Sequence, residues 1–245
     1  MDIFDDLADE CTRLDGLLAG LSEADWERAS AAPGWSNVDV VLHLAQCEEA
    51  VVGTLTATAP DGAPAAERTA VSMDEAMDGW VAAERAGADL VYPRWQAAWP
   101  AALAALRTAD PDRATPWAAI PLRPATLATT RLAEHWAHGL DITGPLGLPY
   151  PDTARLRHIA WLGHRSLPYA FELAGLEYRP VRAELTGPAG EVWRFGPDDA
   201  GSAITGAAGA FCRVGAQRLA PADSGLTTTG PNATTALRLL RNYAA

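Results

Sequence analysis

Lysine is missing from this chain of 245 residues, so all 19 basic residues are arginine. With no ε-amine available, Schiff-base catalysis, a self-supplied pyridoxal phosphate anchor and a P-loop lysine are excluded. Cysteine is scarce: Cys11, Cys47 and Cys212 are widely spaced and odd in number. That pattern excludes a disulfide framework and a CxxC metal site. Positive charge is also in short supply, 19 basic against 31 acidic residues for a net of -12, and such a field repels phosphate backbones and anionic membrane surfaces. Nucleic acid is not an expected partner. Long apolar runs are lacking too, since the richest Ala/Leu/Trp stretch, between Arg94 and Arg107, is too short to span a bilayer. The acidic opening Met1-Asp2-Ile3-Phe4-Asp5-Asp6 does not read as a signal peptide, and the expectation is a soluble, cytoplasmic protein with no membrane association. What remains is 49% hydrophobic and 20% charged, an ordinary globular composition with enough apolar residues for one large domain or two modest ones.

Apolar positions recur at helical spacing from Ile3 through Leu7, Cys11, Leu14, Leu17, Leu18 and Leu21, which predicts a first amphipathic helix. After the breaker Ala32-Pro33-Gly34-Trp35, Ser36 with Asp39 three residues on predicts an N-cap, with Trp35 packing on Val40 as a staple. The helix so opened turns Val40, Val41, Leu44 and Val51 inward, carries His43 on or beside that face, and ends before a Thr/Ala/Pro/Gly-rich loop around residues 57–65. Helical patterns follow over about Met73–Leu90, Trp95–Leu106, Ala125–Ile142 and Thr153–Leu173, and this part reads as a bundle. Beyond Pro180 the period changes: Val181–Leu185 and Glu191–Phe195 alternate around the turn Gly187-Pro188-Ala189-Gly190, a β-hairpin. A helix from about Ala207 to Arg218, a short strand at Leu226-Thr227-Thr228 and a helix running to Tyr243 complete a small α+β tail. The expected division is a helical bundle over residues 1–177 and an α+β domain over 178–245.

The segment Glu134-His135-Trp136-Ala137-His138-Gly139-Leu140-Asp141 carries the most chemistry. Residues four apart on a helix share a face, so Glu134 and His138 can present a carboxylate and an imidazole to one point. Such a pair supplies two ligands for a divalent metal, and His43 from another helix supplies a third, leaving a position open. The same pair also suits a simple exposed hydrogen bond, and His43 a core-edge histidine bonded to a carbonyl. Asp39 and Asp141, each one turn from a candidate ligand, are placed to accept a ring N–H and fix its tautomer, although Asp39 also has its capping role. Cys47, one turn after His43, reads as a buried inert thiol, and Glu48 and Glu49 as solvated.

Trp26, Pro33-Gly34-Trp35-Ser36, Asp39 and His43-Leu44, followed by Glu134-x-x-x-His138-x-x-Asp141, resemble the mycothiol-dependent maleylpyruvate isomerase family of DinB/YfiT-like metalloenzymes. Particularly close is an actinobacterial branch whose later motif reads Trp-Ala-His-Gly-x-Asp, here Trp136 to Asp141, and Leu185-Thr186-Gly187-Pro188, Trp193, Gly196-Pro197 and Gln217-Arg218 extend the similarity into the tail. The resemblance implies a mainly α fold: a DinB-like four-helix bundle holding a divalent metal, commonly zinc, followed by a small α+β, sterol-carrier-like C-terminal domain. It places the metal ligands on His43, Glu134 and His138 and a catalytic arginine on Arg218, a permanently charged fork suited to a carboxylate or a developing enolate. His135 departs from the branch pattern, as do His164 and the run Leu122-Arg123-Pro124. Lying about 100° around the helix from Glu134, His135 is a second candidate for acid–base work beside the pocket, against a half-buried or surface imidazole.

The leading expectation is a metal-dependent enzyme that uses a low-molecular-weight thiol, mycothiol or similar, for isomerisation or S-transfer on a small electrophilic, acidic substrate, as monomer or homodimer. The alternatives are a metal-dependent cyclase, lyase or hydrolase of a biosynthetic pathway, and a non-catalytic module that binds a small apolar molecule.

Overall fold

A computed structural model describes residues 2–56, 72–118 and 120–242 of the chain. The expected loop at 57–65 and the expected helix end at Tyr243 fall outside the described residues. The described chain is mainly helical with one small sheet, and it divides into two compact units, one running through Tyr150 and the other beginning at Pro151. That division precedes the helix-to-strand change on which the expected boundary at 177/178 rests, so two further helices fall with the sheet.

The first unit holds α1 (Ile3–Leu18), α2 (Glu23–Glu27), α3 (Asn37–Thr56), α4 (Met73–Glu84), α5 (Ala88–Thr108) and α6 (Pro124–Leu146). Four of these form the bundle: α1 packs on α5 and α6, and α3 packs on the same two. Each boundary has a local cause. Asp2 caps α1 through Phe4 and Asp5 amides. At the start of α3, Ser36 and Asp39 make the reciprocal bonds expected of them: Ser36 N–H donates to Asp39 Oδ2 at 3.0 Å and Asp39 N–H to Ser36 Oγ at 3.3 Å. Pro124 presets the first turn of α6, and Gly147 ends it in the left-handed region at φ +66°. The expected helix Met73–Leu90 is instead broken at Arg85-Ala86-Gly87. Gly87 is the N-cap of α5, which runs through Pro93 and Pro100. Each proline forfeits one backbone donor, and α5 tolerates this because its buried face, Val91, Trp95, Ala98, Ala102 and Leu106, holds the helix on the core.

The second unit begins with α7 (Leu156–Arg165) and α8 (Leu167–Leu173), one expected helix divided at Ser166. Four strands follow, β1 (Arg182–Thr186), β2 (Val192–Phe195), β3 (Ala203–Ala207) and β4 (Thr227–Thr229), with α9 (Ala208–Gly215) after β3 and α10 (Ala233–Leu239) last. Sheet order is β2-β1-β3-β4. The expected hairpin is β1–β2, antiparallel with Leu185 opposite Trp193. Strand β3, parallel to β1, was not expected: its sequence Ala-Ile-Thr-Gly-Ala has one large apolar residue and no alternation to reveal it. His164 donates from Nε2 to the Val181 carbonyl at 2.7 Å and stacks on Phe195, joining α7 to the sheet.

Gly139 of α6 packs closely against Tyr150 in the first unit. A Cβ at Gly139 would stand 2.5 Å from the Tyr150 ring and hydroxyl. That ring cannot easily yield, because its hydroxyl donates to the buried Glu10 carboxylate at 2.6 Å and the Arg13 guanidinium lies 3.7 Å above its face. Gly139→Ala gains about 1 kcal/mol of helix propensity but strains or breaks a charge-assisted bond worth roughly 1.5–3 kcal/mol and overpacks the core. The expected net is a loss of about 1–3 kcal/mol, read as a lower urea midpoint at unchanged m value.

Candidate metal centre

His43 comes from the second turn of α3, and Glu134 and His138 from successive turns of α6. His43 and His138 are 6% and 7% exposed, and the Glu134 side chain 26%, so the carboxylate marks the open side of the cluster. Glu134 Oε2 lies 3.6 Å from His43 Nε2 and 3.4 Å from His138 Nε2. One donor atom from each of the three residues falls within 4.8 Å of the others. These gaps are long for direct hydrogen bonds. Donors placed about 2.0–2.2 Å from one tetrahedral centre stand roughly 3.3–3.6 Å apart, which matches the two carboxylate–imidazole gaps. Two imidazole nitrogens and one carboxylate oxygen form a donor set suited to zinc and leave a coordination position free. The residues present therefore fit a divalent cation.

The tautomer of His138 is set by Asp141. Its Nδ1–H donates to Asp141 Oδ2 at 2.9 Å, so Nε2 carries a lone pair toward Glu134 and His43. Asp141 is itself only 1% exposed, and its main-chain carbonyl accepts from the Ala31 amide, tying the segment before α3 to this turn of α6. Asp39 does not take the corresponding part for His43: beyond its capping bond it pairs with Arg85 Nε at 3.0 Å, locking the α4–α5 break onto the start of α3.

Burial opposes the imidazolium of His138, but Asp141 and Glu134 outweigh it and its pKa lies above the ordinary 6.5. In His43 burial is likewise outweighed, by Cys47 and Glu134, and the pKa is again raised above 6.5. Glu134 is held well below the usual carboxylate range because His138, His43 and the Arg131 charge outweigh its own burial.

Trp35, expected to staple Val40, lies against both imidazoles. Its ring centroid is 5.0 Å from that of His43 and 6.2 Å from that of His138, and its indole N–H donates to Asp78 of α4 at 2.8 Å. The signal for this wall was present in the Pro-Gly-Trp turn directly before α3, but helical spacing alone pointed to a staple. Cys47 is buried as expected, with Sγ 3.9 and 3.7 Å from the two ring nitrogens of His43, and the three cysteines are unpaired thiols.

His135 is a core residue and not a wall of the cluster. It is wholly buried, Trp95 Nε1–H donates to its Nε2 at 3.2 Å, and its Nδ1–H donates to the Arg131 carbonyl at 2.9 Å. Because indole can only donate, the ring must be the neutral Nδ1–H tautomer, and burial keeps its pKa below the ordinary 6.5. With both nitrogens engaged it has no proton to exchange with a pocket. Glu48 also departs from expectation. It is 1% exposed and accepts from Arg131 Nε at 2.7 Å, whereas Glu49 is a surface residue paired with Arg94. Arg218 lies in the second unit, exposed, just past α9. Gln217 before it takes a left-handed φ of +60°, and Arg218 Nη1 donates to the Ala216 carbonyl at 2.7 Å.

Comparison with known proteins places these residues in a family. Residues 7–143, which include all three converging side chains, match the mycothiol maleylpyruvate isomerase N-terminal domain. The chain belongs to this family. Uncharacterized proteins from two strains of Mycobacterium tuberculosis, CDC 1551 / Oshkosh and ATCC 25618 / H37Rv, are each 35% identical to it over 258 residues, covering 98% of this chain and 94% of theirs. Crystal structures of the mycothiol-dependent maleylpyruvate isomerase share the fold. A histidine-to-alanine mutant superposes with a TM-score of 0.62 at 16% identity, and the enzyme itself with 0.59 at 15%, each match covering 94% of this chain and 95% of the other. No helix among the described residues is long and apolar enough to cross a membrane.

The raised histidines give opposite pH responses with and without metal. In chelator-treated protein, stabilisation from protonating His43 and His138 is complete below pH 6.5 and declines as pH rises through their elevated folded values. Glu134 stays ionised throughout. The melting temperature of stripped protein should therefore fall between about pH 6 and pH 8. Metal-loaded protein needs both imidazoles neutral, so its melting temperature should rise over the same interval and acid should release the ion. Parallel slopes for the two forms would separate the histidines from the metal.

Proposed function

We propose that this protein is a divalent-metal enzyme, zinc being the best fit, that uses a low-molecular-weight thiol of the mycothiol type to isomerise, or transfer sulfur to, a small electrophilic and acidic substrate. The observation that carries the reading is the convergence of His43, Glu134 and His138 from two helices, with Glu134 Oε2 3.6 and 3.4 Å from the two Nε2 atoms and one donor atom of each residue within 4.8 Å of the others, as ligands of one cation converge. Family membership supports the choice of thiol chemistry, since the matched domain and the structural neighbours are named for mycothiol and maleylpyruvate.

A divalent cation held by these ligands supplies Lewis acidity that makes a thiol ionise near neutral pH. The protein's own groups do the rest. Asp141 keeps the proton on the far nitrogen of His138, so the near one stays available without a conformational change. Trp35 closes one side of the imidazole pair and keeps water from it. Addition of a thiolate to a conjugated double bond, rotation about the single bond so formed, and expulsion of the same thiolate convert cis to trans with the thiol regenerated. Retention of the new C–S bond, with the enolate carbon taking up the proton that the thiol gave up on ionising, gives S-transfer instead. Arg218, a fixed positive charge in a chain without lysine, is assigned to the substrate carboxylate or the developing enolate.

The test has two parts. His138→Ala should abolish stoichiometric zinc while helical circular dichroism is retained, because the bundle is held by its apolar faces. Stoichiometric zinc in that variant would move the site elsewhere. Arg218→Ala should lower turnover on the order of 100-fold, with metal content and melting temperature unchanged, since the side chain is exposed. Normal turnover would remove Arg218 from the reaction.

A further inference from the structure

The converging ligands belong to two helices, so their spacing depends on how α3 and α6 are held against each other. Directly beneath them lies a polar chain that crosses the bundle core. Trp95 of α5 donates to His135, His135 donates to the main-chain carbonyl of Arg131 on its own helix α6, and the Arg131 guanidinium donates to Glu48 of α3. Every link is inside the protein: the Arg131 and Glu48 side chains are 3% and 2% exposed, and Trp95 and His135 are fully covered. The position is as informative as the bonds. On α3, Glu48 follows His43 by little more than a turn, while on α6, Arg131 precedes Glu134 by three residues. The two helices therefore run antiparallel at this seam, with the ion pair one turn from the ligands. Arg131 is electrostatically coupled to Glu134 and Cys47 as well as to Glu48.

This arrangement is poorly explained by stability alone. Burying a carboxylate and a guanidinium costs several kcal/mol each in desolvation, and an apolar pair of the same volume commonly stabilises a core as well or better. The cost is higher here because Arg131 Nη2 is buried with no hydrogen-bond partner among the described residues. An ion pair has what an apolar contact lacks, a single preferred alignment. A slip of one residue along α3 would separate Glu48 from Arg131 and turn His43 about 100° away from Glu134.

We propose that Arg131 and Glu48 are positioning residues for the metal ligands: the buried pair, tied to α5 through His135 and Trp95, sets the register of α3 against α6 and thereby the spacing of His43 from Glu134 and His138. The inference rests on the metal reading above, and the two can fail separately.

The experiment measures zinc affinity by chelator competition and, without metal, the melting temperature. Glu48→Leu with Arg131→Met removes both charges at similar volume. This double variant should melt at or above the wild-type temperature when stripped, yet bind zinc 10–100-fold more weakly. Zinc affinity within twofold of wild type would overturn the proposal. Should the double variant not fold, Trp95→Phe, which keeps the ring bulk and removes only the N–H that tethers His135, should weaken zinc binding about tenfold, and unchanged affinity there would equally overturn it. His138→Ala serves as the reference. If it binds zinc as the wild type does, the metal reading itself falls. If it binds none while the double variant matches wild type, the ligand set stands and the brace alone is wrong.

Discussion

The seam between α3 and α6 is the constraint on which the candidate site depends. One helix contributes a single imidazole and the other an imidazole and a carboxylate, so no local structure can assemble the set. An apolar interface tolerates small sliding because dispersion contacts are exchanged for similar ones. A charged pair in a low-dielectric core does not, because separating the partners leaves two uncompensated charges. Glu48 and Arg131 meet at 2.7 Å in such a place, and the ligands meet one turn away. The same logic explains the Gly139 contact: with no side chain there, Tyr150 can reach Glu10 and pin the far end of the turn that carries His138 and Asp141.

Around the ligands, polar residues have separate tasks that similar side chains cannot exchange. Of the three histidines in the first unit, His138 is directed by Asp141 and His43 lies under Trp35, both toward Glu134, whereas His135 is sealed as a neutral donor and acceptor within the core. Two of these are neighbours in one four-residue stretch of α6. Their roles differ because they stand three residues apart, about 60° around the helix, which turns one to the seam and the other to α5. Stability comes mainly from elsewhere, from the apolar faces that bury Leu14, Leu44, Trp95, Leu132 and Trp136. This separation allows the polar set to be altered without dissolving the bundle.

The local rules that sequence obeys were legible. Heptad-like spacing marked α1, the Ser36/Asp39 pair marked the start of α3, alternation around a Gly-Pro turn marked the β1–β2 hairpin, and the four-residue spacing of Glu134 and His138 marked a shared face. Features without a local signal were not. Strand β3 is too small and too plain to announce itself and exists because β1 and β4 pair with it. The break at Arg85–Gly87 was hidden because a helical period was read across it from Met73 to Leu90, while Pro93 and Pro100 sit inside α5.

Charge burial was the other blind spot. Glu48 and Glu49 are adjacent and chemically identical, and only the position of α6 makes one a core residue paired with Arg131 and the other a surface residue paired with Arg94. Sequence by itself determined most of the helical stretches, the cap of α3, the hairpin and which residue types stand one turn apart, because each follows from backbone geometry within a few residues. Tertiary structure alone decided that His43 meets Glu134 and His138, that His135 belongs to the core, and that Trp35 covers the imidazoles. Those outcomes depend on the rotation and register of one helix against another, quantities set by contacts between residues far apart in the chain.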